Sequence, residues 1–250
     1  TYVGWSWKAG TSFTNDASST SVGTIDSAGS VSTDAGFSIV SYTGTGANAT
    51  VAHGLGAVPK MFLLKCRTQG DRWVMYHNSL GNTHYISLDR TDAAVDQADQ
   101  FNDTSPTSSV FSIGSSGQVS GNGETFIAYC FAEKKGYSKF GSYTGNGNAD
   151  GTFIYTGFKP AWLLVKSTAA NDWILHDTKR NPHNVSNVIL HPNASDADVT
   201  NTIYNLDILS NGFKTRTTHA RLNGSGVTYI YMAFAENPFV TSTGVPATAR

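Results

Sequence analysis

Thr125-Phe126-Ile127-Ala128-Tyr129-Cys130-Phe131-Ala132-Glu133 and Thr228-Tyr229-Ile230-Tyr231-Met232-Ala233-Phe234-Ala235-Glu236 are two versions of one strand, and reading them together decides the fold. Their apolar residues alternate with period two, so Ile127, Tyr129 and Phe131 share one sheet face, as do Ile230, Met232 and Phe234. The opposite face carries Ala128, Cys130 and Ala132, matched by Ala233 and Ala235; small residues there imply close approach of another layer or chain.

Working back from these strands, the same order of anchors occurs twice. Gly36-Phe37-Ser38 before Ser41-Tyr42-Thr43-Gly44 matches Gly136-Tyr137-Ser138 before Ser142-Tyr143-Thr144-Gly145. Pro59-Lys60-Met61-Phe62-Leu63-Leu64-Lys65 matches Pro160-Ala161-Trp162-Leu163-Leu164-Val165-Lys166, and Arg72-Trp73-Val74-Met75 matches Asp172-Trp173-Ile174-Leu175. Trp73 and Trp173 stand 100 positions apart, Glu133 and Glu236 stand 103 apart. Matched anchors in one order are the signature of an internal duplication. Thr1-Tyr2-Val3-Gly4-Trp5-Ser6-Trp7-Lys8 fits the closing strand again, so the chain is expected to begin on the last strand of an earlier unit within a longer polypeptide.

The expected architecture is all-β: two tandem antiparallel β-sandwich units with short helical insertions. Residues 1–10 form the closing strand of a partial repeat, 11–35 a Ser/Thr/Gly-rich linker outside the core, 36–135 the first unit, 136–240 the second and 241–250 a tail. Thr91 to Gln97 and Ser195 to Val199 follow cap-like residues and read as the short helices. Composition agrees, with 25 glycines and only 14% charged residues. A net charge of −1 gives no long-range attraction for nucleic acid or an anionic membrane. No apolar stretch reaches membrane-spanning length and no signal peptide is visible. Cys66 and Cys130 lie in strands and read as buried free thiols.

The duplication also sorts candidate chemistry. Glu133 and Glu236 end matched strands and read as structural partners of a lysine. The histidines lack metal-site spacing, and no carboxylate pair or nucleophile with its base is recognisable, so no catalytic residue and no cofactor is expected. Asn146, Asn148 and Asp150 imitate the start of a calcium loop, but Gly157 stands where the bidentate glutamate belongs, and a turn is the better reading. His53-Gly54-Leu55-Gly56 reads as a structural turn. Aromatics beside polar side chains suit carbohydrate. With both tryptophans read as core, the candidate ligand-binding residues are the polar tails after them: Tyr76, His77 and Asn78 in the first unit, His176, Asp177, Arg180 and Asn181 in the second.

Several stretches together resemble a known family: Val3-Gly4-Trp5-Ser6-Trp7-Lys8-Ala9-Gly10, His53-Gly54-Leu55-Gly56 with Pro59-Lys60, Leu80-Gly81-Asn82-Thr83, Thr104 to Ser112, Tyr137 to Gly145, and Ala233-Phe234-Ala235-Glu236-Asn237-Pro238-Phe239. They are similar to the carboxy-terminal module of tail-fibre-like virion proteins of marine tailed bacteriophages, including cyanophages. The resemblance implies a non-enzymatic appendage on the virion surface, commonly a homotrimer, that meets other virion proteins and a host-cell glycan or outer-membrane component. It implies neither nucleic-acid binding nor membrane insertion. The alternative expectation is a purely structural virion or filament subunit with no external ligand.

Overall fold

The computed structural model describes residues 3–236, so Thr1, Tyr2 and the expected 241–250 tail lie outside the described residues. The chain divides into two compact units, one of Trp5–Leu88 with Ala94–Glu133, the other of the residues from Lys134 on together with Asp89–Ala93 and the residues before Trp5. The division falls two residues ahead of the expected boundary after Lys135.

In the first unit the elements are β1 (Thr11–Asn15), α1 (Ala17–Thr20), β2 (Ser27–Ser32), β3 (Phe37–Thr43), β4 (Ala49–Ala52), β5 (Met61–Cys66), β6 (Val74–His77), β7 (His84–Ser87), β8 (Val95–Asp96), α2 (Ala98–Phe101), β9 (Val110–Ile113), α3 (Gly117–Ser120) and β10 (Thr125–Phe131). One antiparallel sheet runs β1-β2-β3-β10-β5-β6-β7-β8, and β4 pairs separately with β9. The alternation of β10 decides which face is inside. Ala128 and Cys130 are fully buried beside Val40, Leu64 and Phe126, with Val51, Phe111 and Ile113 of the β4–β9 pair in the same core. Small side chains on β10 thus leave room for the aromatic covering layer. Tyr42 stacks on Phe126 at 5.2 Å, Phe62 on Tyr76 at 4.7 Å.

The second unit repeats this plan with β11 (Ser138–Thr144), β12 (Phe153–Tyr155), β13 (Pro160–Ser167), β14 (Ile174–Asp177), β15 (Val188–Leu190), β16 (Val199–Thr200), a 3-10 turn (Thr202–Tyr204), β17 (Leu206–Leu209), β18 (Gly212–Thr215) and β19 (Thr228–Ala235). Its main sheet is β11-β19-β13-β14-β15-β16, its smaller sheet β12-β18-β17. Registers superpose: Cys66 faces Phe126 as Ser167 faces Tyr229, and Val51 faces Phe111 as Ile154 faces Phe213. The tyrosines opening both units even end alike, with Tyr42 donating to Val119 O and Tyr143 to Leu222 O, each at 2.8 Å.

Three expectations need correction. Residues 11–35 are not a linker: β1 and β2 form a hairpin that extends the sheet beside β3. Ser, Thr and Gly suit that edge because bulk is excluded; a Cβ on Gly29 would lie 2.0 Å from Ile39 O. Residues 3–10 keep the in–out alternation, with Trp5 and Trp7 half-buried, yet carry no strand pairing. Trp7 packs instead on Phe37 and Phe131. The short helices are also displaced. Thr91–Gln97 is extended and coil up to α2 at Ala98, while Ser195–Val199 precedes the 3-10 turn, whose cap is Asn201. In both units the helical turn sits one strand later, where Phe101 or Tyr204 can drop into the core.

Candidate functional site

The residues after the paired tryptophans are turned inward. Trp173 is buried, whereas Trp73 is half-buried and stacks on Tyr129 at 6.1 Å. β6 and β14 are interior strands, flanked on both sides, so their last residues are enclosed. Tyr76, His77, His176 and Asp177 are all buried, so these four candidate ligand-binding residues are closed to an external ligand and that reading of them is corrected. His77 and Asp177 occupy equivalent positions and do one job: His77 Nδ1 accepts from Ser79 N at 3.2 Å, Asp177 Oδ1 from Lys179 N at 3.0 Å and Arg180 N at 2.9 Å. Each closes the turn leaving its strand. Arg180 pairs with the buried Asp177 carboxylate through Nε, Asn181 N donates to Asp177 O at 3.2 Å, and Asn78 is exposed.

His176 points to the other strand face, where Nδ1 lies 3.0 Å from Ser186 Oγ. Burial, with the Arg180 charge second, pushes its pKa down to about 3. This serine–histidine contact has no third member, for Nε2 is buried without a hydrogen-bond partner. Both residues are sealed from solvent, so the pair serves the core. A second set, with Tyr204 and His191 buried and Asp172 and Arg221 half-buried, is hydrogen-bonded together: Arg221 bridges Asp172 and the Tyr204 hydroxyl, which meets His191 Nε2 at 3.2 Å, while His191 Nδ1 meets Trp173 O at 2.9 Å.

The motifs present in one copy also resolve into turns. In the His53 turn, Leu55 N donates to Nδ1 and Nε2 donates to Thr107 O, with Gly54 and Gly56 at positive φ. In the calcium-like stretch, Asn146 Oδ1 accepts from Asn148 N and Asn223 Nδ2, and Asn148 Oδ1 accepts from Asp150 N at 2.9 Å. The Asp150 carboxylate pairs with Lys214 at 2.7 Å and Arg216 at 3.0 Å, and the Lys214 hydrogen bond chiefly holds its pKa below the usual range. Cations already fill the place a calcium ion would need. Cys66 and Cys130 are buried free thiols, and Lys179 pairs with Glu236.

Two surfaces remain. On the first unit the β1–β2 hairpin and β3 border a cleft of about 460 Å³ lined by Asp16, Asp26, Ser41, Arg67 and Thr125. Both carboxylates serve the hairpin itself, Asp16 capping α1 at Ser19 N (3.1 Å) and Asp26 accepting from Ala17 N (2.9 Å).

The other surface lies on the second unit. Among the described residues four large hydrophobic side chains are exposed, and two of them, Phe153 (44%) and Tyr155 (63%), are neighbours on β12. Ile154 between them is buried, so period-two alternation puts both rings on the outer face. In register beside Phe153 stand Lys214 and then Asp207, which meets Arg216 at 2.6 Å; Arg216 in turn reaches Asp150. Beside Tyr155 stands Gly212, where a Cβ would come within 3.1 Å of the Phe153 ring. The result is an aromatic strip on an edge strand, bordered by linked cations and carboxylates. The equivalent edge of the first unit is covered. Thr24 N donates to Thr50 O, Thr50 N to Thr24 Oγ1 and Ser27 Oγ to Ala52 O, at 2.9, 2.8 and 3.1 Å. Thr50 and Ala52 there replace Phe153 and Tyr155. Sequence reading missed the strip, although comparison of the two copies carried the signal: large aromatics at the two outward positions where the first copy has Thr and Ala.

These features define a duplicated all-β chain whose buried polar groups serve turns and core, with an exposed aromatic strip, among the described residues, on the second copy. The chain belongs to the family described as a domain of unknown function, DUF7483, whose model matches residues 1–238. No curated protein and no solved structure matches it.

Proposed function

We propose that the chain is a module of a bacteriophage tail fibre or similar virion appendage, and that it binds a host-surface glycan without chemical change. The observation that carries this reading is the pair Phe153 and Tyr155, exposed on one face of β12 beside Lys214, Asp150 and Arg216. Aromatic faces stack on the apolar faces of sugar rings, and flanking charged groups hydrogen-bond the hydroxyls. Each site is shallow and weak alone. Several copies on one appendage, as in a homotrimer, and several appendages on one particle, raise the effective concentration.

Retention of the purified chain on host cells and on their extracted envelope glycans tests the reading. Two stacked rings contribute about 1–3 kcal/mol together, so Phe153→Ala with Tyr155→Ala is expected to weaken binding roughly 5- to 160-fold. Undiminished retention of the double variant refutes the site. The covered edge of the first unit favours a second reading, in which β12 instead receives another subunit of a structural assembly. That reading requires the same double variant to lower the oligomeric state measured by light scattering, with glycan retention absent from the wild-type chain.

A further inference from the structure

We propose that Cys66, Asp71 and Glu124 of the first unit form a binding site for a divalent cation of intermediate softness, with zinc as the type. The three side chains come from separate places in the chain: the end of β5, the loop after it, and the residue before β10. Their ligand atoms all lie within 4.8 Å of one another. Cys66 Sγ stands 3.4 Å from Glu124 Oε2. Zinc bond lengths of about 2.3 Å to sulfur and about 2.0 Å to oxygen at a tetrahedral angle set that same edge at about 3.5 Å. A metal ion would enter with little movement of either atom.

The surroundings hold this arrangement from three sides. Lys65 Nζ donates to Gln69 O and Asp71 O, pinning the loop that carries Asp71. Arg67 N donates to Thr125 O at 2.8 Å, which joins the end of β5 to the start of β10. Glu124 folds back over Gly121, where a Cβ would fall 2.2 Å from Oε2. Neither Asp71 nor Glu124 makes an ion pair among the described residues, although both are half-buried. Two half-enclosed carboxylates converge on a thiol while the nearby Lys65 ammonium is spent on the loop carbonyls, and a divalent ion would bind both carboxylates directly.

The second copy provides an internal control. Lys166 Nζ again binds the loop carbonyls, Ser167 O and Ala169 O, both at 2.7 Å. Yet Ser167 and Val227 stand in place of Cys66 and Glu124, and the loop that carries Asp71 is one residue shorter, with Asn171 and Asp172 in that place. The fold therefore keeps the loop-pinning lysine and dispenses with the thiol and the glutamate together, as expected for a set that serves a ligand rather than the sheet. On binding, the Cys66 S–H bond breaks, its proton passes to solvent, and the S–metal bond replaces the present hydrogen bond to Glu124. Access runs past the two half-buried carboxylates; Thr68 Oγ1, 3.4 Å from Sγ, or water completes the coordination.

Titration of the metal-free full chain with cobalt(II), a spectroscopic substitute for zinc, is the test. The expected result is one cobalt per chain with a near-ultraviolet thiolate-to-cobalt charge-transfer band, bleached when zinc is added. Cys66→Ser abolishes the band, and Glu124→Gln or Asp71→Asn weakens cobalt binding at least about tenfold, a loss of about 1.4 kcal/mol, while the circular dichroism of each variant stays that of the parent. A folded chain that shows no such band at millimolar cobalt, or a band that survives Cys66→Ser, overturns the site.

Discussion

His176 makes the second unit acid-sensitive by a calculable amount. The imidazole is 1% exposed, its Nε2 has no hydrogen-bond partner, and Arg180 opposes a second positive charge. Its pKa falls from 6.5 to about 3 on folding. Below about pH 6.5 the unfolded chain takes up a proton that the folded chain refuses, so stability falls by about 1.4 kcal/mol per pH unit until about pH 3. Two units of acidification, to about pH 4.5, therefore cost roughly 2–3 kcal/mol through this one side chain. His176→Gln removes the titration and leaves an amide of similar reach for Ser186. Urea unfolding, followed by tryptophan fluorescence and circular dichroism near neutral pH and at about pH 4.5, gives the acid-induced loss for each protein. Subtracting variant from parent cancels the carboxylates common to both and any constant cost of the substitution. An excess loss in the parent of about 2–3 kcal/mol is expected. Equal losses refute the reasoning, for they mean that the folded protein admits the proton or that water reaches the ring.

Phe153→Ala and Tyr155→Ala, singly, are expected to shift stability by no more than about 0.5 kcal/mol in thermal unfolding, because both rings lie outside the core. Arg180→Met leaves the Asp177 carboxylate buried without its partner and is expected to cost about 3–5 kcal/mol in denaturant unfolding. Gly29→Ala drives a Cβ against Ile39 O and should cost about 1–3 kcal/mol, loosening the β1–β2 hairpin so that limited proteolysis cuts within residues 11–32.

The duplication was legible because it rests on apolar periodicity and repeated anchors, both properties of the chain read residue by residue. The β1–β2 hairpin was not. Its residues are too small and polar to announce a strand, and they pair because β3 already presents an edge that bulkier side chains could not approach. The polar tails after the tryptophans misled for a related reason. His77 and His176 look like solvent-facing binding groups until β6 and β14 are seen to have neighbours on both sides.

By itself, then, the sequence of this protein determined an all-β chain built of two copies of one unit, with the small-residue face of β10 closely packed; of the two tryptophans it read as core, Trp173 is buried and Trp73 half-buried. The tertiary structure alone decided which polar groups remain available. It enclosed His77, His176 and Asp177, left Phe153 and Tyr155 on an open edge that the first copy covers, and brought Cys66, Asp71 and Glu124 within 4.8 Å of one another. Burial and convergence depend on which strands become neighbours. Alternation along the chain assigns a side chain to a face, and the partner strands decide whether that face meets water.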